Sequence, residues 1–199
     1  LAAKGRSGVT SELSGWISIA QANHIPFVNY WRPPGGAWNN GVRTIAQSLG
    51  HAIEPLVPSL FTFHIDDARL VGLSGVALEN AAVAVEGTKL REAGPLLITH
   101  WGLSGPAVLK LSAWGARELA NRNYEFTLQV NFAPPHSRES LVRELTAVRE
   151  KNPRKQITTW SPLAMPQRLW ERLVVSSGIA ATTAWTAVGN MALQNLAVL

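Results

Sequence analysis

The segment whose residue types and spacing carry the most chemistry is His100-Trp101-Gly102-Leu103-Ser104-Gly105-Pro106. A strand over 96–101 is expected to run into two closely spaced glycines, and Pro106 suits the first position of a helix. A helix start presents backbone N–H groups without intrahelical partners, and its dipole favours a phosphate, a carboxylate or an electron-rich carbonyl oxygen. The competing reading is a tight strand-to-helix connection in which Ser104 is only a cap. Gly102-Leu103-Ser104-Gly105-Pro106 misses the nucleophile elbow G-x-S-x-G, because proline stands in the last position. A serine hydrolase is therefore not supported.

Other chemistries fall away on residue type. The 199 residues include no cysteine, which removes disulfides, thiolate nucleophiles and cysteine-based metal sites. His24, His51, His64, His100 and His136 are isolated in sequence and lack helical ligand spacing, so no metal site is expected. His64-Ile65-Asp66-Asp67 reads as a strand end entering an Asp-Asp turn. Neither G-x-G-x-x-G nor a P-loop occurs, so the chain is not expected to bind a dinucleotide tightly by itself. A net charge of +5 raises a nucleic-acid partner, but Glu139, Glu144, Glu150 and Glu171 are interleaved with the basic residues between Arg138 and Arg172. That patterning favours a solvated, self-paired helix face, with Glu139 and Arg143 at pairing distance. The tryptophans Trp101, Trp114, Trp170 and Trp185 are assigned to core packing rather than to a stacking platform.

The elements that must position these residues follow from periodicity. A short amphipathic helix is expected over 11–22 and a strand over 25–31, before Pro33-Pro34-Gly35-Gly36 breaks regular structure. Asn39 or Asn40 caps a helix with Val42, Ile45, Ala46 and Leu49 on its apolar face, and Gly50 stops it. Apolar alternation at Phe61, Phe63 and Ile65, at Val76 and Leu78, and at Ala81, Val83 and Val85 predicts strands. Asp66-Asp67, Gly72, Glu86-Gly87 and Ala93-Gly94 are read as the turns between them. Pro106 opens a helix that buries Ala107, Val108, Leu111, Trp114 and Leu119 and closes at Asn121. A regular strand is then expected over 124–131. Pro134-Pro135 marks a border, after which the period turns helical. One helix is capped by Ser137 and ended by Asn152-Pro153, one starts at Pro166, and one starts at Thr182 or Thr183 with Trp185, Val188, Ala192 and Leu196 inward.

With those elements in place, THWGLSGPAVLKLSAWGAREL resembles the TH-aromatic-GLSGPA-x-L-x-x-S signature of the bacterial NAD(P)/FAD-dependent oxidoreductases of the YhiN/BaiN, aminoacetone-oxidase-like flavoprotein family. IAQSLGHAIEPLVPSLFTF is similar to the family's passage from flavin domain to insert. REKNPRKQITTWSPLAMPQRLWERLVVSSGI is similar to its helical subdomain. Gly35 and Gly36 match the glycines of the family's Ala-Thr-Gly-Gly element, although Pro33-Pro34 replaces Ala-Thr. Residues 1–30 match no part of it.

The resemblance implies an α+β fold, with an antiparallel β-barrel-like subdomain over 51–133 and a small helical insert subdomain over 134–199. Residues 1–50 are an unassigned segment with a remnant helix of the flavin domain. It further implies that Gly35, Gly36, Thr99, His100, Gly102, Ser104 and Gly105 face a cavity for FAD and substrate. FAD would belong to a longer parent, and the partners would be its missing flavin-binding domain and a small-molecule substrate. No membrane partner is expected, no stretch being apolar for long enough to span one, and the location expected is cytoplasmic. The leading expectation is thus an insert that covers the active site of a flavoenzyme and is inactive alone. The rival readings are a basic nucleic-acid-binding module on a small barrel and a subunit-contact scaffold.

Overall fold

Asn39 starts the first helix whose boundaries the sequence dictates at both ends. Its side chain accepts from the Val42 N–H at 2.9 Å, and Gly50 follows with φ of 82°. The computed structural model describes residues 5–23 and 39–198, and the chain divides into two compact units, Leu1–Leu56 and Val57–Leu199. The first contains α1 (Gly5–Ala22) and α2 (Asn40–Ser48), the latter burying Val42, Ile45 and Ala46 as its apolar spacing requires. α1 begins six residues before the expected start, at Gly5 rather than at Ser11, because no proline interrupts the stretch ahead of it. The strand expected over 25–31, with Gly35 and Gly36, lies outside the described residues.

The second unit is built on a five-stranded antiparallel sheet in the order β1-β4-β3-β2-β5. The strands are β1 (Phe63–His64), β2 (Ala77–Val85), β3 (Arg91–Thr99), β4 (Gly102–Ser104) and β5 (Leu128–Asn131). β2 and β3 form the long central hairpin around Gly87. Ala93-Gly94, expected as a turn, lies within β3: Gly94, at φ of 146°, faces Ala81 where the register shifts in a bulge. The strand expected over 124–131 is halved, because Asn123 and Tyr124 adopt φ of 53° and 62° and hold the chain out of extended conformation.

The largest correction concerns the strand expected over 96–101. β3 ends at Thr99, His100 and Trp101 form a two-residue hairpin turn, and β4 returns along β3 with Thr99 paired to Gly102. β4 also pairs with β1, Phe63 facing Leu103 and His64 facing Gly102. This central position explains both glycines. A Cβ on Gly102 would stand 2.1 Å from the Phe63 carbonyl oxygen, and one on Gly105 would stand 2.8 Å from the Pro95 carbonyl oxygen. Pro106 opens α3 (Pro106–Trp114) as expected, but Gly105 occupies the cap position instead of Ser104, and no side chain caps the helix. α3 also stops early. Gly115, packed against Leu90, separates it from α4 (Ala116–Asn121), which leaves Trp114 80% exposed instead of buried. Trp101, at the hairpin tip, is also exposed.

After Asn131 the chain is helical. Ser137 caps α5 (Arg138–Lys151), and Pro166 precedes α6 (Gln167–Ser176), which buries Leu169, Trp170, Leu173 and Val174. The single helix expected from Thr182 is instead a short 3₁₀ turn, Trp185–Ala187, and α7 (Asn190–Leu196), parted at Gly189; Trp185, Val188 and Leu196 are buried as expected. One hydrophobic cluster takes in Val83, Ile98 and Leu103 from the sheet and Leu145, Trp170 and Leu193 from the helices. Within it Trp170 stacks on Trp185 at 6.4 Å, and its indole N–H donates to the Ile157 carbonyl at 2.8 Å.

Two stability predictions follow from these contacts. Gly102→Ala should destabilise the second unit by about 3 kcal/mol or more in urea unfolding, since both the backbone angle and the Phe63 carbonyl oppose a methyl group. Trp170→Phe should cost about 1–3 kcal/mol by the same measurement, through a buried Ile157 carbonyl left without its donor.

Candidate functional site

Hydrogen bonds that start in the sequence itself shape the hairpin over residues 99–106. The Thr99 hydroxyl donates to the Gly102 carbonyl at 3.1 Å and closes the turn, while the Ile65 N–H donates to the Trp101 carbonyl at 2.9 Å and ties the tip to the end of β1. The His100 and Trp101 rings lie 4.2 Å apart at the exposed tip. Gly102 and Leu103 are buried, and Thr99, Ser104 and Gly105 are half-buried. The hairpin therefore brings Thr99, His100, Gly102, Ser104 and Gly105 together, with His100 as the most accessible. Its glycines make room for neighbouring backbone.

A second feature was not apparent in the sequence. β1 and β5 are the two outer strands of the sheet, and a cavity of about 600 Å³ lies between Phe63, His64 and Ile65 on one side and Tyr124, Phe126 and Leu128 on the other. An adjoining cavity of about 360 Å³ continues past Leu70 and Val130 to Leu169 and Leu173 of α6. Phe61, Phe63 and Phe126 meet edge to face, with centroids 5.8 and 5.1 Å apart, and Tyr124 meets Phe61 at 5.8 Å. Asp67 caps the short 3₁₀ turn Ala68–Leu70 and binds Arg69 through both carboxylate oxygens, with a closest approach of 2.6 Å. The hydrogen bond from Arg69 holds the Asp67 carboxyl below its usual range. The alternating aromatic positions were the available signal, but each run reads alone as the face of one strand.

Several basic residues between Arg138 and Arg172 have structural partners. Arg149 donates to the Val188 carbonyl at 2.8 Å, Arg172 donates to the Val71 carbonyl at 2.6 Å, and Arg168 donates to the Gly72 carbonyl. His136 contacts Glu144 at 3.2 Å, and Glu139 accepts from the Ser137 hydroxyl at 2.9 Å. Arg138, Arg143, Lys151, Arg154 and Lys155 remain exposed. Among the described residues no group of three His, Asp or Glu converges as metal ligands, and no helix is long and apolar enough to cross a membrane.

Known proteins share much of this sequence. The chain is 32% identical over 179 residues to the ribosomal RNA dihydrouridine synthase of Escherichia coli (strain K12), covering 86% of this chain and 40% of that protein. It is 28% identical over 155 residues to the ribosomal RNA dihydrouridine synthase of Haemophilus influenzae, covering 76% of this chain and 35% of that one. With the 3-dehydro-bile acid delta(4,6)-reductase of Clostridium scindens it shares 25% identity over 137 residues, covering 68% and 33%. The chain thus spans well under half the length of these curated relatives. The family described as HI0933-like protein barrel and H2TH domain matches residues 57–199, the whole of the second unit with its antiparallel sheet and following helices. The resemblance seen in THWGLSGPAVLKLSAWGAREL holds, and the chain belongs to the HI0933-like family.

Proposed function

We propose that residues 57–199 form the barrel-and-helix unit that closes over the substrate of a flavin-dependent reductase, whose substrate is a uridine of an RNA. The observation that carries this reading is the family match together with its relatives, all named for reductive chemistry. A dihydrouridine arises when hydrogen is added across the ring double bond of uracil that is conjugated to a carbonyl. A delta-4 double bond in a 3-dehydro bile acid is conjugated to a carbonyl in the same way. RNA is favoured over a bile acid by the higher identity to the two ribosomal RNA enzymes and by the exposed Arg138, Arg143, Lys151, Arg154 and Lys155, which suit phosphates. This departs from the small-molecule substrate that the family resemblance implied.

The described residues do not fit a dinucleotide. Their sheet is entirely antiparallel, and no glycine-rich turn joins a parallel strand to a helix in the nucleotide-binding manner. In this reading FAD would be held by a separate nucleotide-binding domain of the parent, and its chemistry there would be hydride donation. This chain supplies orientation and exclusion of water. The exposed His100-Trp101 tip is its surface towards the reacting ring.

A chimera tests this. Residues 57–199, placed in the E. coli relative in exchange for the matching stretch, should retain flavin absorbance and form dihydrouridine in ribosomal RNA. Trp101→Ala in that chimera should leave its folding midpoint unchanged and slow reduction about tenfold or more. A folded, flavin-loaded chimera that reduces no RNA uridine overturns the proposed substrate, and one that folds without flavin overturns the assignment to a flavoenzyme.

A further inference from the structure

The sheet of the second unit stops short of closure, and the seam left between β1 and β5 holds the 600 Å³ cavity. We propose that this seam binds an unpaired RNA base flanking the uridine that the parent enzyme reduces. The inference rests on the RNA reading above and adds to it a subsite that selects sequence context.

Three independent features converge on a flat, neutral occupant. The first is the wall itself. Phe61, Phe63, Tyr124 and Phe126 form a continuous edge-to-face chain, and Tyr124 is 41% exposed at its end, which leaves ring surface for a base to stack on. The Phe61 end is fixed from the other side, because its N–H donates at 3.0 Å to the hydroxyl of Ser112, a fully buried residue of α3.

The second is backbone strain. Leu60, Asn123 and Tyr124 are the non-glycine residues with positive φ among the described residues, and all three sit in or beside the two aromatic segments that bound this cavity. Such strain persists where the surrounding structure enforces it and gathers at ligand sites. The third is charge. Arg69 lines the cavity but is engaged by both oxygens of Asp67, and the exposed Asp66 adds a carboxylate at the same cavity that would repel a phosphate. A phosphate would find its guanidinium already taken, whereas a neutral ring meets aromatic carbon with the Thr62, His64 and Thr127 side chains near its edge. Phosphates have the exposed lysines and arginines of the helical portion instead.

The test uses this chain with fluorescently labelled oligouridylate and an abasic oligonucleotide of equal length, both followed by anisotropy. Oligouridylate should bind about tenfold or more tighter than the abasic strand, and Tyr124→Gly should remove that difference. Tyr124→Gly relaxes the left-handed backbone at that residue, so its folding midpoint should stay close to the parent's, while Tyr124→Phe should preserve affinity. Equal binding of both strands, no binding of either, or unchanged affinity in folded Tyr124→Gly overturns the subsite. Displacement of a bound 3-oxo steroid from the seam by neither strand also overturns it, in favour of a small-molecule occupant. The chimera's flavin retention and uridine reduction are measured separately, so loss of the subsite is distinguishable from loss of the parent activity.

Discussion

Everything in the second unit hangs on how closely β4 approaches its neighbours. A three-residue strand inserted between β1 and β3 brings the Gly102 Cα against the Phe63 carbonyl, where no side chain fits, and the left-handed Gly105 then turns the chain into α3. The same insertion carries Leu103 and Ile98 into the core and leaves His100 and Trp101 at an exposed tip. Core, hairpin and helix start are thus set by one backbone contact. Its cost is conformational: two glycines must be ordered in extended or left-handed geometry that contributes no side-chain burial. The apolar neighbours on both sides offset that cost.

The same contact explains why the motif was readable while its shape was not. A glycine that permits two strands to touch has the same letter as a glycine that reverses the chain, and without knowledge of β1 the sequence favours reversal. Gly94 misled in the same way, since it is a bulge and not a turn. Helix ends fared better because caps are local: Asn39, Ser137 and Asn152-Pro153 each act within four residues. Trp114 was assigned to the core because spacing on α3 predicts a helix continuing through Leu119, whereas Gly115 breaks it and turns the ring outward.

Long-range pairing accounts for the part of the site that sequence did not disclose. Phe61 and Phe63 precede the hairpin, Tyr124 and Phe126 follow α4, and only the strand order brings the two aromatic runs to opposite sides of a cleft. Periodicity reports which face of a strand is apolar but carries no information about which strand lies opposite it. The basic stretch shows the converse limit. Arg149, Arg168 and Arg172 count as charge in the sequence, yet in the fold they spend hydrogen bonds on backbone carbonyls and fasten helices to loops. Net charge therefore overstates the cationic surface available to a partner.

The open seam is itself a consequence of length. β1 has two residues and β5 four, and the left-handed residues Asn123 and Tyr124 keep the segment before β5 from extending the ladder. Longer edges would meet, pair and close the barrel, and the cleft would be lost to side-chain packing. Short edges also present few unpaired backbone groups, which limits strand addition by another chain. The strain at Tyr124 thus keeps an aromatic cavity open at one side of the sheet while the glycines of β4 hold the other side shut. A sheet held shut along β1-β4-β3 and open between β1 and β5 gives a rigid frame with one accessible aromatic edge, the form that a site for a flat ring requires.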